Sequence, residues 1–157
     1  MINRKKAEVL TMSEFKSPQI SDYQKLTVLN NVSTVPLLTI QTVFPFRLFP
    51  CMLSLDRQKL TISDHLFFGA KQVENILAED IVSVNSTENF LFATLTVVSG
   101  MRLNKEFKVA YLWKEDARRL RRMLEGLLIA SREGVDVLNI SDSELIQKLE
   151  HIGTAKM

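Results

Sequence analysis

The chain changes its apolar period once. Up to Tyr111 the apolar residues mostly alternate two by two; from Trp113 they recur at every third or fourth position. A period of two sets side chains on opposite faces of a strand, whereas a period of 3.6 sets them along one stripe of a helix. One switch from the first to the second leaves room for a sheet-rich body followed by a closing helix, and for little else.

The strands are read from that alternation. Leu37 to Phe49 is predicted as strand with a break at Pro45, because proline cannot donate to a central ladder. Cys51, Leu53 and Leu55 alternate with polar neighbours, Asp56-Arg57-Gln58 makes a polar turn, and Leu60 and Ile62 resume the alternation, which together predict a hairpin. The pattern slips at Ser63-Asp64-His65, suggesting a bulge or a tight turn. Further strands are expected over Gln72–Ala78, over Asp80–Thr87 with Val82 and Val84 on one face, over Thr94–Ser99, and over Glu106–Tyr111 with Phe107, Val109 and Tyr111 sharing a face. About seven short strands at this spacing predict an antiparallel sandwich or small barrel.

Beyond them, Trp113, Ala117, Leu120, Leu124, Leu127, Leu128 and Ser131 fall on one helical face. Glu115 and Asp116 sit where carboxylates suit the helix dipole, Glu115 precedes Arg119 by four residues, and Gly134 is a stop signal. A shorter helix follows. Ser141 and Glu144 form a capping box, Ile140 can staple onto Leu145, and Gly153 closes it. Its stripe of Leu145, Leu149 and Ile152 needs a partner, because so short a helix is marginal alone. That partner is the same domain, another copy or another protein.

Composition narrows function mostly by exclusion. With 157 residues, the chain has room for one domain with a real core. A net charge of +2 lacks the basic excess of a nucleic-acid binder. The five glycines never cluster, so no P-loop or dinucleotide turn can form. His65 and His151 stand far apart without ligand spacing, so no metal or other cofactor is expected. Cys51 sits on an apolar face and reads as a core residue. A single thiol fits a reducing, cytoplasmic setting. Val35 to Leu53 is the most apolar stretch, but Pro36, Pro45, Pro50, Gln41 and Arg47 interrupt it, so it reads as buried sheet rather than a membrane span. Arg4, Lys5 and Lys6 are not followed by the apolar run of a signal peptide.

Three segments resemble a known family. Leu53-Ser-Leu-Asp-Arg-Gln-Lys-Leu-Thr-Ile62 resembles the opening hairpin of bacterial pleckstrin-homology-like domains. Ile76-Leu-Ala-Glu-Asp-Ile81-Val-Ser-Val84 is similar to their mid-sheet step, and Leu112-Trp113-Lys-Glu-Asp-Ala-Arg-Arg-Leu120 looks like the entry to their closing helix. The resemblance covers roughly residues 38–130. It implies a two-sheet β core plugged by the helix, and a non-enzymatic binding or scaffolding role. Many eukaryotic members hold phosphoinositide head groups with basic residues near the first hairpin; here that region carries Arg47, Arg57 and Lys59 without the dense basic spacing. The division expected is a weakly ordered tail over 1–34, a pleckstrin-homology-like domain over 35–133, and an extension over 134–157 bearing the short helix.

Two surface features stand out. Phe44-Pro-Phe46-Arg47-Leu-Phe49-Pro50 packs three rings and two prolines into seven residues. It reads as edge strand and core filling, or as a partner or membrane-surface patch if the rings are exposed. Arg118, Arg119, Arg121 and Arg122 are the densest basic cluster. They read as a solvated helix face, or as a contact for an anionic surface. The leading expectation is a protein-binding module without enzymatic activity. Its alternatives are peripheral attachment to anionic lipid through Arg118, Arg119 and Arg122 together with the phenylalanine-rich segment, and an enzyme of unrecognised type.

Overall fold

A computed structural model of the chain describes residues 35–100 and 105–154. The expected N-terminal tail, with the short helix considered around Lys5 to Met12, lies outside the described residues. Seven strands and two helices follow in order: β1 (Leu38–Gln41), β2 (Cys51–Leu55), β3 (Lys59–His65), β4 (Lys71–Leu77), β5 (Ile81–Glu88), β6 (Phe92–Ser99), β7 (Lys105–Trp113), α1 (Lys114–Arg132) and α2 (Asp142–Thr154). The strands form two antiparallel sheets, β1-β2-β3-β4 and β5-β6-β7, which do not join into a closed barrel.

Alternation places the core where expected over most of the strands. Leu53, Leu55, Leu60, Leu95 and Val97 are buried in one cluster to which both sheets contribute, and α1 adds Ala117, Leu120, Leu124 and Leu127 to it. The β2–β3 turn is set by Asp56, whose Oδ1 accepts from the Gln58 and Lys59 amides at 2.7 and 2.9 Å. α1 ends on Gly134 at φ +66°, with the Val135 amide donating to Ala130 and the Gly134 amide donating to Ser131. This is a Schellman ending, for which glycine carries no steric cost.

Several local expectations are overturned. β1 stops at Gln41 rather than running to Phe49. Thr42 ends the ladder: its amide donates to the Cys51 carbonyl, and its hydroxyl accepts from the Cys51 amide at 3.0 Å. Pro45 and Pro50, lacking N–H groups, cannot extend the pairing. No bulge occurs at Ser63–His65, where β3 stays in register with both β2 and β4. The irregularity falls instead at Val82. The register shifts there, Ile81 and Val84 point inward, and Val82 turns to solvent. A second shift sets Ala110 and Tyr111 opposite the single residue Thr94. Tyr111 takes φ +62° and faces outward, and Leu112 replaces it in the core. Trp113 ends β7 on the outer face and is not part of the helical stripe. Ser131 is likewise exposed, while Met123 joins the buried side.

The C-terminal extension is part of the same body. Leu145 and Leu149 of α2 belong to the one core cluster, and α2 lies along α1. The approach is close enough that a Cβ at Gly126 would meet the Leu149 carbonyl, and one at Gly153 the Arg122 carbonyl. Gly153 is thus a packing residue inside α2 rather than its end. Arg57, expected in a polar turn, is only 7% exposed. It donates to the Val137 carbonyl and pairs with Asp142, tying the β2–β3 turn to the start of α2.

Candidate functional site

The phenylalanine-rich segment lies on the outside of the second sheet. After Gln41 the chain leaves β1, turns with the Arg47 amide donating to the Val43 carbonyl, and returns at Pro50. Arg47 pairs with Asp64 of β3, and His65 Nδ1 donates to the Pro50 carbonyl at 3.2 Å, so both halves of the segment are pinned to the first sheet. The Val43 amide donates to the Tyr111 carbonyl at 2.9 Å, which pins its start to the second. The segment therefore bridges the sheets at one corner.

Phe46 meets Phe92 on the outer face of β6 and Tyr111, which the β7 bulge has turned outward. The centroid of Phe46 lies 4.7 Å from that of Phe92 and 6.0 Å from that of Tyr111, and Phe92 lies 5.4 Å from Trp113. These are favourable aromatic separations. Yet the cluster remains open to solvent: Phe46 is 56% exposed, Trp113 50% and Tyr111 45%. In the turn between β5 and β6, Phe90 is 90% exposed and Leu91 is exposed as well. Phe44 and Phe46 do not fill the core, as an edge-strand reading would require, and Phe49 is half-buried.

The arginine cluster is largely neutralised. Arg118 grips Glu88 through Nε and Nη2 at 2.8 and 2.6 Å and also reaches Glu115 at 3.0 Å. Arg119 pairs with Glu150 of α2 rather than with Glu115, and Arg121 pairs with Glu125. Hydrogen bonding from Arg118, outweighing desolvation, holds the Glu88 carboxyl below its ordinary range. Arg122 is half-buried where α1 meets α2. Of the expected helix contacts, Leu145 and Leu149 are buried, and Ile152 is exposed. The structure thus brings Phe44 beside Trp113 and Phe46 against Phe92 and Tyr111, while Arg118, Arg119 and Arg121 engage carboxylates and Arg122 does not.

The remaining chemistry is sparse. Burial, reinforced by the nearby Asp64 and opposed by Arg47, pushes the Cys51 thiol up to about 11, so it stays protonated and poorly nucleophilic. A cleft of about 210 Å³ beside it is lined by charges of both signs, including Lys105, Lys108, Asp64 and Glu74. A larger cleft of about 460 Å³ lies between Arg57, Leu77, Leu127 and Val137, where α1 gives way to the connection into α2. Among the described residues, no three His, Cys, Asp or Glu side chains are placed to hold a metal ion, and no helix is long and apolar enough to cross a membrane.

Tyr111 and Trp113, expected to face inward, turn outward because the β7 bulge reverses facing, whereas Phe92 stands on the outer face of β6 by plain alternation. The signal was present in Val109-Ala-Tyr-Leu-Trp113, where Tyr111 and Leu112 compete for the inward position and strict alternation cannot satisfy both. No family model, no curated protein and no solved structure matches the chain.

Proposed function

We propose that the chain is a non-enzymatic interaction module of the pleckstrin-homology-like kind, which docks a protein on the outer face of its second sheet. Supporting the fold family is the order of elements: four antiparallel strands, three antiparallel strands, then a helix packed on them. Supporting the docking role is one observation. Phe46, Phe92, Tyr111 and Trp113 form a contiguous ring cluster that stays half-open to water. Aromatic side chains are the usual anchors of protein interfaces, since they carry large contact area at low entropic cost. The buried, protonated Cys51 suits a reducing setting and supports a cytoplasmic location.

Attachment to anionic lipid is the competing reading, and it needs two signals, apolar and electrostatic. Pairing of Arg118 and Arg119 with Glu88 and Glu150 takes away most of the second. A photo-crosslinking amino acid placed at Phe44 in the full chain, in its native cell, separates the two. We expect crosslinked protein bands that fall away with Phe46→Ser and that are not reproduced from Lys148, on the exposed face of α2. Absence of protein bands from position 44, with the purified chain floating on anionic vesicles, would overturn the proposal in favour of the membrane.

A further inference from the structure

We infer that the docked protein is held here by a basic side chain, an arginine received by Phe44, Trp113 and Asp116; the inference rests on the docking reading above. The place is a cleft of about 400 Å³ between the segment that leaves β1 and the start of α1. Val43, Phe44, Arg47, Pro50, Trp113 and Asp116 line it. Its volume is in the range that takes a small organic group.

The rings are the first argument. Phe44 is 72% exposed and Trp113 50%, so the chain's own packing closes off neither. The face of an aromatic ring is the negative end of its quadrupole and attracts a cation laid over it, tryptophan most strongly.

Charge is the second argument. Asp116 is half-buried in the wall of the cleft and makes no ion pair among the described residues. Arg47, the cation of the lining, is already matched by Asp64. Lys114 and Arg118, the cations nearest to Asp116 along α1, act on Glu88. The cleft therefore offers two rings and a carboxylate that no cation of the chain pairs with. An anionic group would be repelled by Asp116, and an apolar one would bury that carboxylate further without compensation.

Arginine fits both parts. Its guanidinium stacks flat on an aromatic face, its N–H fork bonds a carboxylate with two parallel hydrogen bonds, and its stem covers apolar surface such as Val43 and Pro50.

Trp113 is the chain's single tryptophan, so its fluorescence reports on this cleft. The full chain is titrated at constant ionic strength with N-acetyl-arginine amide, with its uncharged analogue N-acetyl-citrulline amide, and with phosphocholine, each to about 100 mM. We expect the arginine compound to saturate with a Kd on the order of 1–10 mM, as suits one side chain. Citrulline on the parent, and arginine on Asp116→Asn, should bind about tenfold more weakly. Asp116→Asn should also cut the protein crosslinks from Phe44 by about tenfold while its circular dichroism matches the parent. Failure of the arginine compound to saturate, equal binding of arginine and citrulline, or an Asp116→Asn chain that binds like the parent overturns the inference. So does saturation by phosphocholine alone, which would make the occupant a lipid head group. Crosslinks from Phe44 that persist undiminished in Asp116→Asn exclude the arginine and leave the docking reading standing. If Phe44 captures no protein at all, both fall.

Discussion

Val43 and Tyr111 are joined by a backbone hydrogen bond of 2.9 Å, from the amide of the first to the carbonyl of the second. The bond ties the corner where β1 leaves the first sheet to the bulge in the last strand of the other. Tyr111 reaches it at φ +62°, a conformation that costs a non-glycine residue about 1–2 kcal/mol. That cost is offset by what the bulge achieves: Leu112 enters the core, and the tyrosine ring stacks on Phe46.

The strain gives a first prediction. Tyr111→Val and Tyr111→Asn both lose the ring, but only asparagine tolerates the left-handed region. The valine variant should be less stable than the asparagine variant by about 1 kcal/mol in urea denaturation. Equal stabilities would mean that the bulge relaxes in solution.

The crossing of α1 and α2 gives a second. A Cβ on Gly126 would lie 2.3 Å from the Leu149 carbonyl oxygen, and one on Gly153 2.0 Å from that of Arg122. Neither backbone can yield cheaply, so Gly126→Ala and Gly153→Ala should each cost about 1–3 kcal/mol. Gly134→Ala meets no atom within 4 Å and is strained only by φ +66°, so it should cost about 1 kcal/mol. Thermal melts of the three variants would show the order.

Arg57 joins the β2–β3 turn to the C-terminal extension. Arg57→Ala removes both the bond to the Val137 carbonyl and the pair with Asp142. Asp142→Ala removes only the second, but leaves a buried guanidinium with less compensation. Breaking a buried pair costs about 3–5 kcal/mol, and the exposure of Asp142 reduces this. We expect Arg57→Ala to be the more damaging, and both to speed proteolytic cleavage between Val135 and Ser141.

Cys51 gives a prediction in pH. Its folded value of about 11 lies above the ordinary 9.0, because burial and Asp64 disfavour the thiolate. The folded state therefore holds its proton where the unfolded chain has lost it. Stability attributable to Cys51 is complete below pH 9 and is lost as pH rises toward 11. Cys51→Ala should flatten that alkaline decline in a series of melts. Iodoacetamide should label the parent at pH 8 only after denaturant is added.

Glu88 acts in the opposite direction. Its carboxyl is held below the ordinary 4.5 by Arg118, so its contribution is present above that value and fades as acid protonates it in the folded state. Because the pair is solvated, the effect is small. Arg118→Ala should shift the acid unfolding midpoint upward slightly, and 1 M salt should erase the difference between variant and parent.

Residue order alone determined the class of this protein: strands wherever Leu53, Leu55, Leu60 and Leu95 alternate, a helix where Leu120, Leu124 and Leu127 recur, and a stop at Gly134. Those are local properties, set by side-chain spacing and by one residue's freedom in φ. What faces outward at Val82, Tyr111 and Trp113 was decided only in three dimensions, because a single bulge reverses every side chain after it, and its position depends on which of two adjacent apolar residues the core accepts. The same holds for Arg57, Arg118 and Arg119: their partners Asp142, Glu88 and Glu150 lie 30 or more residues away in the chain. A periodicity carries no information about contacts at that range, so Arg118 and Arg119 of a charge run that looked ready for an anionic surface closed onto carboxylates, and a segment that looked like core became the exposed face.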